Sequence, residues 1–128
     1  MITTRIFLGL MGLMFTAFGL WSLFDPIGMT SQLNVIVGGP NGSFEMRGIF
    51  GGVSLGGALL CLGAAFRTGL VLPALWFLMA YMGGYCIARA ASVALGDLPT
   101  PETWAFVGFE AANALLAAIC LWREGRKA

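Results

Sequence analysis

The sequence contains no histidine. That removes the commonest metal ligand, the usual haem ligand and the default general base. Charge is also scarce. Seven basic and six acidic residues make up 10% of the 128-residue chain, against about 25% in an ordinary soluble domain. The net charge of +1 provides no electrostatic basis for a nucleic-acid partner. Cys61, Cys86 and Cys120 each stand alone in an apolar stretch without C-x-x-C spacing. No zinc or thiol-redox motif results, and the three read as small hydrophobic side chains. No G-x-x-x-x-G-K-[ST] loop occurs, and Ser54, Cys61 and Cys86 have no histidine to activate them. The expectation is a non-enzymatic protein with no metal and no cofactor.

Apolar residues are what the chain has: 59% of it is hydrophobic, with a mean hydropathy of +0.87. The length is that of a single domain. From Ile6 to Phe24 the chain is uncharged, which matches the roughly 20 residues a bilayer core requires. The run exceeds the roughly 7–15 residues of a signal-peptide core, and no A-x-A site follows, so it reads as a mature helix. Asp25-Pro26 stops it. Gln32 to Val37 reads as a short interfacial helix or an extended piece, and Gly38 to Gly42 as a turn. Ser43 then caps a second span, with Glu45 in its first turn. Arg67 to Gly69 is a short turn that makes the second and third spans an antiparallel hairpin. Gly96 to Pro99 closes the third span, and Thr100-Pro101-Glu102 starts the fourth.

The expected fold is therefore all-α: a four-transmembrane-helix bundle forming one integral membrane domain over residues 1–128, with helices at about 5–24, 43–66, 69–95 and 101–123. The longer outer loop joins helices 1 and 2. Arg5, Arg67, Arg123, Arg126 and Lys127 fall on one side with Glu124; Arg47 and Arg89 fall on the other with Asp25, Glu45, Asp97 and Glu102. The positive-inside rule then places both termini in the cytoplasm.

Two groups of residues stand out. Gly48, Gly52, Gly56 and Gly63 share a narrow stripe with Glu45 on an ideal helical wheel. Such a face lets a neighbouring backbone approach closely, or lines a groove for a lipophile. Glu110 is the most costly side chain, because a carboxylate at membrane depth turns inward and finds a partner. Arg89 is the natural one, nearly level with it, about 4–5 Å away along the axis by helix rise. Asn113 lies one turn deeper on the Glu110 face, and Tyr85 shares the face of Arg89. Glu45, Arg47, Arg89 and Glu110 are expected to form a neutral polar cluster near the outer leaflet. That cluster either fixes helix order and register, binds a polar or anionic ligand head, or relays a proton.

The opening Arg5-Ile-Phe-Leu-Gly-Leu-Met-Gly-Leu13 with Phe18-Gly-Leu-Trp-Ser-Leu-Phe-Asp-Pro26, the block Glu45-Met-Arg-Gly-Ile-Phe-Gly-Gly52, then Ala88-Arg89, Gly96-Asp-Leu-Pro99 and Phe109-Glu110 together resemble the DUF4345 family of small bacterial four-helix membrane proteins. The E-x-R-G-x-[YF]-G-G block is the most specific part. The resemblance implies the topology and a bacterial inner membrane, and it implies no activity. Two functions follow as expectations. One is an accessory subunit that packs against other membrane helices or its own copies. The other is a lipophile-binding or transport protein that uses the Glu/Arg cluster. Membrane lipids are its expected surroundings.

Overall fold

A long apolar segment in lipid must satisfy its backbone hydrogen bonds internally, and the helix does this residue by residue. The computed structural model describes residues 1–127, and the described chain is helical without strands. Its elements are α1 (Ile2–Phe24), α2 (Pro26–Gln32), α3 (Gly39–Met46), a π-helical segment (Arg47–Gly52), α4 (Val53–Phe66), a 3-10 turn (Thr68–Leu70), α5 (Val71–Ala94) and α6 (Pro101–Gly125). Four stretches are long and apolar enough to cross a membrane: Ile2–Phe24, Gly39–Phe66, Thr68–Ala94 and Pro101–Gly125, with mean hydropathies between 1.7 and 1.9. In α6 the inward side chains are Glu110, Asn113, Ala117 and Glu124, while Phe106, Phe109, Leu115, Leu116, Ile119 and Trp122 are exposed. Polar inside and apolar outside is the distribution that lipid demands and water forbids. The protein is an integral membrane protein.

The chain forms two compact units, Met1–Val71 and a second that begins at Leu72. In the first, α1 and α4 run antiparallel. The ideal Cβ of an alanine at Gly12 would fall 2.7 Å from Leu62 Cγ and 2.9 Å from the Leu62 backbone nitrogen. One at Gly19 would fall 2.9 Å from Leu55 Cγ, and one at Gly51 3.3 Å from the Leu23 nitrogen. Leucines thus lie over glycines along the seam. Leu8, Met11, Phe15, Ala58, Cys61 and Ala64 are buried, and Phe18 meets Phe50 edge-on at 6.0 Å. Both ends are fastened in the same way. Arg5 Nε donates to the Ala65 carbonyl at 2.7 Å, near the C-terminus of α4. Arg47 Nε donates to the Leu23 carbonyl at 2.9 Å, near the C-terminus of α1. Each acceptor is one of the terminal carbonyls that its own helix leaves without a partner.

Asp25 stops α1 as expected, and the chain restarts at once. Its carboxylate accepts from the Gly28 N–H at 2.9 Å, capping α2, with Pro26 in the first turn. The short helix therefore covers Pro26–Gln32, and the chain from Leu33 to Val37, expected as a short helix or an extended piece, is irregular. The next span also begins earlier than Ser43. Gly38 is the N-cap and Pro40 stands in the first turn of α3. Its missing N–H costs nothing there, because first-turn N–H groups have no intrahelical acceptor. Residues 39–42 are consequently helix, and Ser43 is not the cap.

The glycine stripe is not the packed face of the chain. Gly48 and Gly56 have nothing within 4 Å of an added Cβ, Gly52 meets only the Arg47 carbonyl of its own turn at 3.9 Å, and Gly63 meets Leu70 Cδ1 at 2.9 Å. The buried face of this span is Gly51, Ser54, Gly57, Ala58, Cys61 and Ala64, on nearly the opposite side of the helix at about 100° per residue. The π segment breaks the wheel as well. Bonding i to i+5 inserts about one residue per turn and swings Glu45 and Gly48 away from the later glycines. Glu45 is exposed rather than turned into the bundle.

In the second unit, α5 ends in a Schellman turn. Gly96 adopts φ +102°, its N–H bonds the Val93 carbonyl at 3.1 Å, and the Asp97 N–H bonds the Ser92 carbonyl at 3.0 Å. Helix α6 starts at Pro101 after Thr100, as the sequence indicates.

Gly12→Ala and Gly56→Ala are a matched test of the seam. The first drives a methyl into the Leu62 backbone and is expected to destabilise by about 1–3 kcal/mol. The second meets open space and is expected to be neutral or to stabilise by up to about 1 kcal/mol through helix propensity. Thermal unfolding in detergent micelles reads both, and equal shifts would contradict the register described.

Candidate functional site

Helix α5 carries Phe77, Tyr81, Tyr85 and Arg89 at four-residue spacing, one above the next on a single face. The rings touch in order. Phe77 and Tyr81 stack at 5.4 Å with an interplanar angle of 24°, and Tyr81 meets Tyr85 edge-on at 5.2 Å. The Arg89 guanidinium carbon lies 5.4 Å from the Tyr85 centroid. This ladder supports the stem of Arg89 and presents its head to α6.

There the guanidinium grips Glu110 with two donors. Nη2 donates to Oε1 at 3.0 Å and Nε to Oε2 at 3.3 Å. A two-pronged fork is the strongest geometry available to an arginine–carboxylate pair. Glu110 is 9% exposed, whereas the Arg89 side chain is 38% exposed. The carboxylate is therefore the buried partner, and the cation faces both it and the outside. Asn113 is buried on the Glu110 face, but its amide donates to the Phe109 carbonyl at 2.8 Å in its own helix. It lines the neighbourhood without joining the ion pair.

Of the four residues of the expected cluster, the second unit holds Arg89 and Glu110 as a pair, with Tyr85 beneath the guanidinium. Glu45 and Arg47 belong to the first unit, where Arg47 is committed to the Leu23 carbonyl. A main-chain acceptor leaves no mark in the side-chain sequence, so pairing by charge alone assigned Arg47 elsewhere.

Beside the ion pair, where α5 turns into α6, lies a cleft of about 330 Å³. Arg89, Ser92, Asp97 and Thr103 line it with polar groups, and Val107 and Trp104 with apolar surface. Sequence reasoning placed Asp97 only in the closing turn. The Schellman turn at Gly96 brings it and Trp104 to the same cleft as Arg89. The aromatic ladder was also missed, although its four-residue spacing was visible. Chemically the site offers a cation with Nη1 free of Glu110, an anion, two hydroxyls and an indole face.

Arg89→Ala leaves Glu110 buried without its counter-ion and is expected to lower stability by about 3 kcal/mol. The double variant Arg89→Ala/Glu110→Ala removes both charges and should recover part of that loss. Denaturant unfolding in micelles gives the coupling; a double variant as unstable as the two single losses combined would show the pair to be uncoupled.

A family model described as Domain of unknown function (DUF4345) matches residues 3–121. No curated protein and no solved structure matches the chain. The matched segment takes in α1 through most of α6, including Arg89 and Glu110. The chain belongs to the DUF4345 family.

Proposed function

We propose that the protein is a non-enzymatic accessory subunit that packs against another membrane helix. The observation that carries this reading is a set of uncovered glycines on the second span. Gly48 and Gly56 touch nothing within 4 Å, and Gly52 touches only its own turn. Between helices in lipid there is no hydrophobic driving force, so association depends on close backbone approach over small residues. The seam to α1 already uses Gly12, Gly19 and Gly51 in this way, and the uncovered Gly52 and Gly56, one turn apart, offer the same chemistry outward. The partner is another membrane subunit or a second copy. The basic residues at Arg5, Arg67 and Arg123 favour cytoplasmic termini, in a bacterial inner membrane.

A second reading has its own observation. The cleft beside Arg89 joins a cation to apolar walls, which suits the head and first carbons of an amphiphile. On this reading the protein binds or carries a lipophile.

Gly56→Leu separates the first reading from simple folding. An added side chain there meets open space, so thermal stability should stay within about 0.5 kcal/mol. Co-purification with a partner, or oligomer size in mild detergent, should be lost. A wild-type protein that extracts as a lone monomer would overturn the proposal.

A further inference from the structure

We infer that the cleft between the ends of α5 and α6 holds the headgroup of a zwitterionic phospholipid, its phosphate at Arg89 and its ammonium at Asp97 and Trp104. The inference rests on the amphiphile-binding reading above and names the ligand class.

The charges decide the class. The cleft is lined by Arg89 and Asp97, and Arg89 is already paired with Glu110. One cation therefore stands among two anions, and a purely anionic head would meet net repulsion. A purely cationic head would leave the Nη1 donors of Arg89 without an acceptor, since Nε and Nη2 serve Glu110. A molecule carrying both an acceptor-rich phosphate and an ammonium answers both demands. The phosphodiester oxygens accept from Nη1 and from the Ser92 and Thr103 hydroxyls. The ammonium sits against the Asp97 carboxylate and the Trp104 ring, whose face attracts alkylammonium groups.

Depth supports a lipid over a soluble ligand. The cleft is at the end of two helices long enough to span a bilayer, beside the turn in which Leu98 is 95% exposed. Trp104 lies in the first turn of α6, where indoles anchor helices at headgroup level. Val93 and Val107 continue the cleft wall with apolar surface, as the glycerol and first acyl carbons require. The Schellman turn fixes Asp97 one hydrogen bond from Ser92, so the anionic end of the cleft is held by backbone geometry.

The test is native mass spectrometry of the full chain in micelles, titrated with phosphatidylethanolamine, phosphatidylcholine and phosphatidylglycerol of identical acyl chains. One zwitterionic lipid per chain should be retained and phosphatidylglycerol should not. Asp97→Asn and Trp104→Leu are partly exposed changes that leave the ion pair intact. Each should reduce occupancy at least about fivefold with unfolding as in wild type. Arg89→Lys keeps the charge, loses the fork, and should also weaken retention. Phosphorylethanolamine added in solution should not displace the lipid; displacement would assign the cleft to a soluble ligand and overturn the lipid. Equal retention of phosphatidylglycerol, with loss in Arg89→Lys, would overturn the zwitterion while leaving amphiphile binding intact. Retention of no amphiphile that depends on Arg89 would overturn both.

Discussion

A carbonyl at the end of a membrane helix is short of partners, because its own helix has no further N–H to offer. In the first unit that shortage is met by side chains from across the seam. Arg5 serves Ala65 and Arg47 serves Leu23, so each helix supplies the donor that finishes the other. Two such bonds at opposite ends are made only in the antiparallel register in which the seam packs. Given that register, Leu62 falls over Gly12 and Leu55 over Gly19, and no other residue than glycine leaves room for them.

The second unit answers a different problem, that of a carboxylate facing inward from an apolar helix. Leaving Glu110 alone would carry a large desolvation cost, and pairing it with a forked guanidinium offsets most of that cost locally. The aromatic ladder below Arg89 holds the guanidinium at its end and so limits the rotamers it samples. Because the cation is more exposed than the anion, the pair is closed on its Glu110 side and open on its Arg89 side. That asymmetry is what turns a structural ion pair into the wall of a cleft.

What could be read from the sequence was what depends on helix period and rise. The four spans, the stop at Asp25-Pro26, the start at Thr100-Pro101 and the levelling of Arg89 with Glu110 are all local or set by a short connection. The losses came where that arithmetic breaks. One extra residue per turn between Arg47 and Gly52 is not marked by any residue type, and it displaced the predicted glycine face. Pro40 looked like a turn residue because proline is also common there; only the absence of a required N–H in the first turn distinguishes the two. The acceptor of Arg47 is a main-chain oxygen, for which the sequence has no letter. Asp97 and Trp104 needed the left-handed φ at Gly96 before they could be placed beside Arg89.

The two arginine clamps of the first unit share one further property. Each acceptor is a main-chain carbonyl, an atom that every residue carries whatever its side chain. Changing Ala65 or Leu23 to another residue leaves the acceptor where it was. Each joint is therefore exposed to point mutation on its arginine side alone.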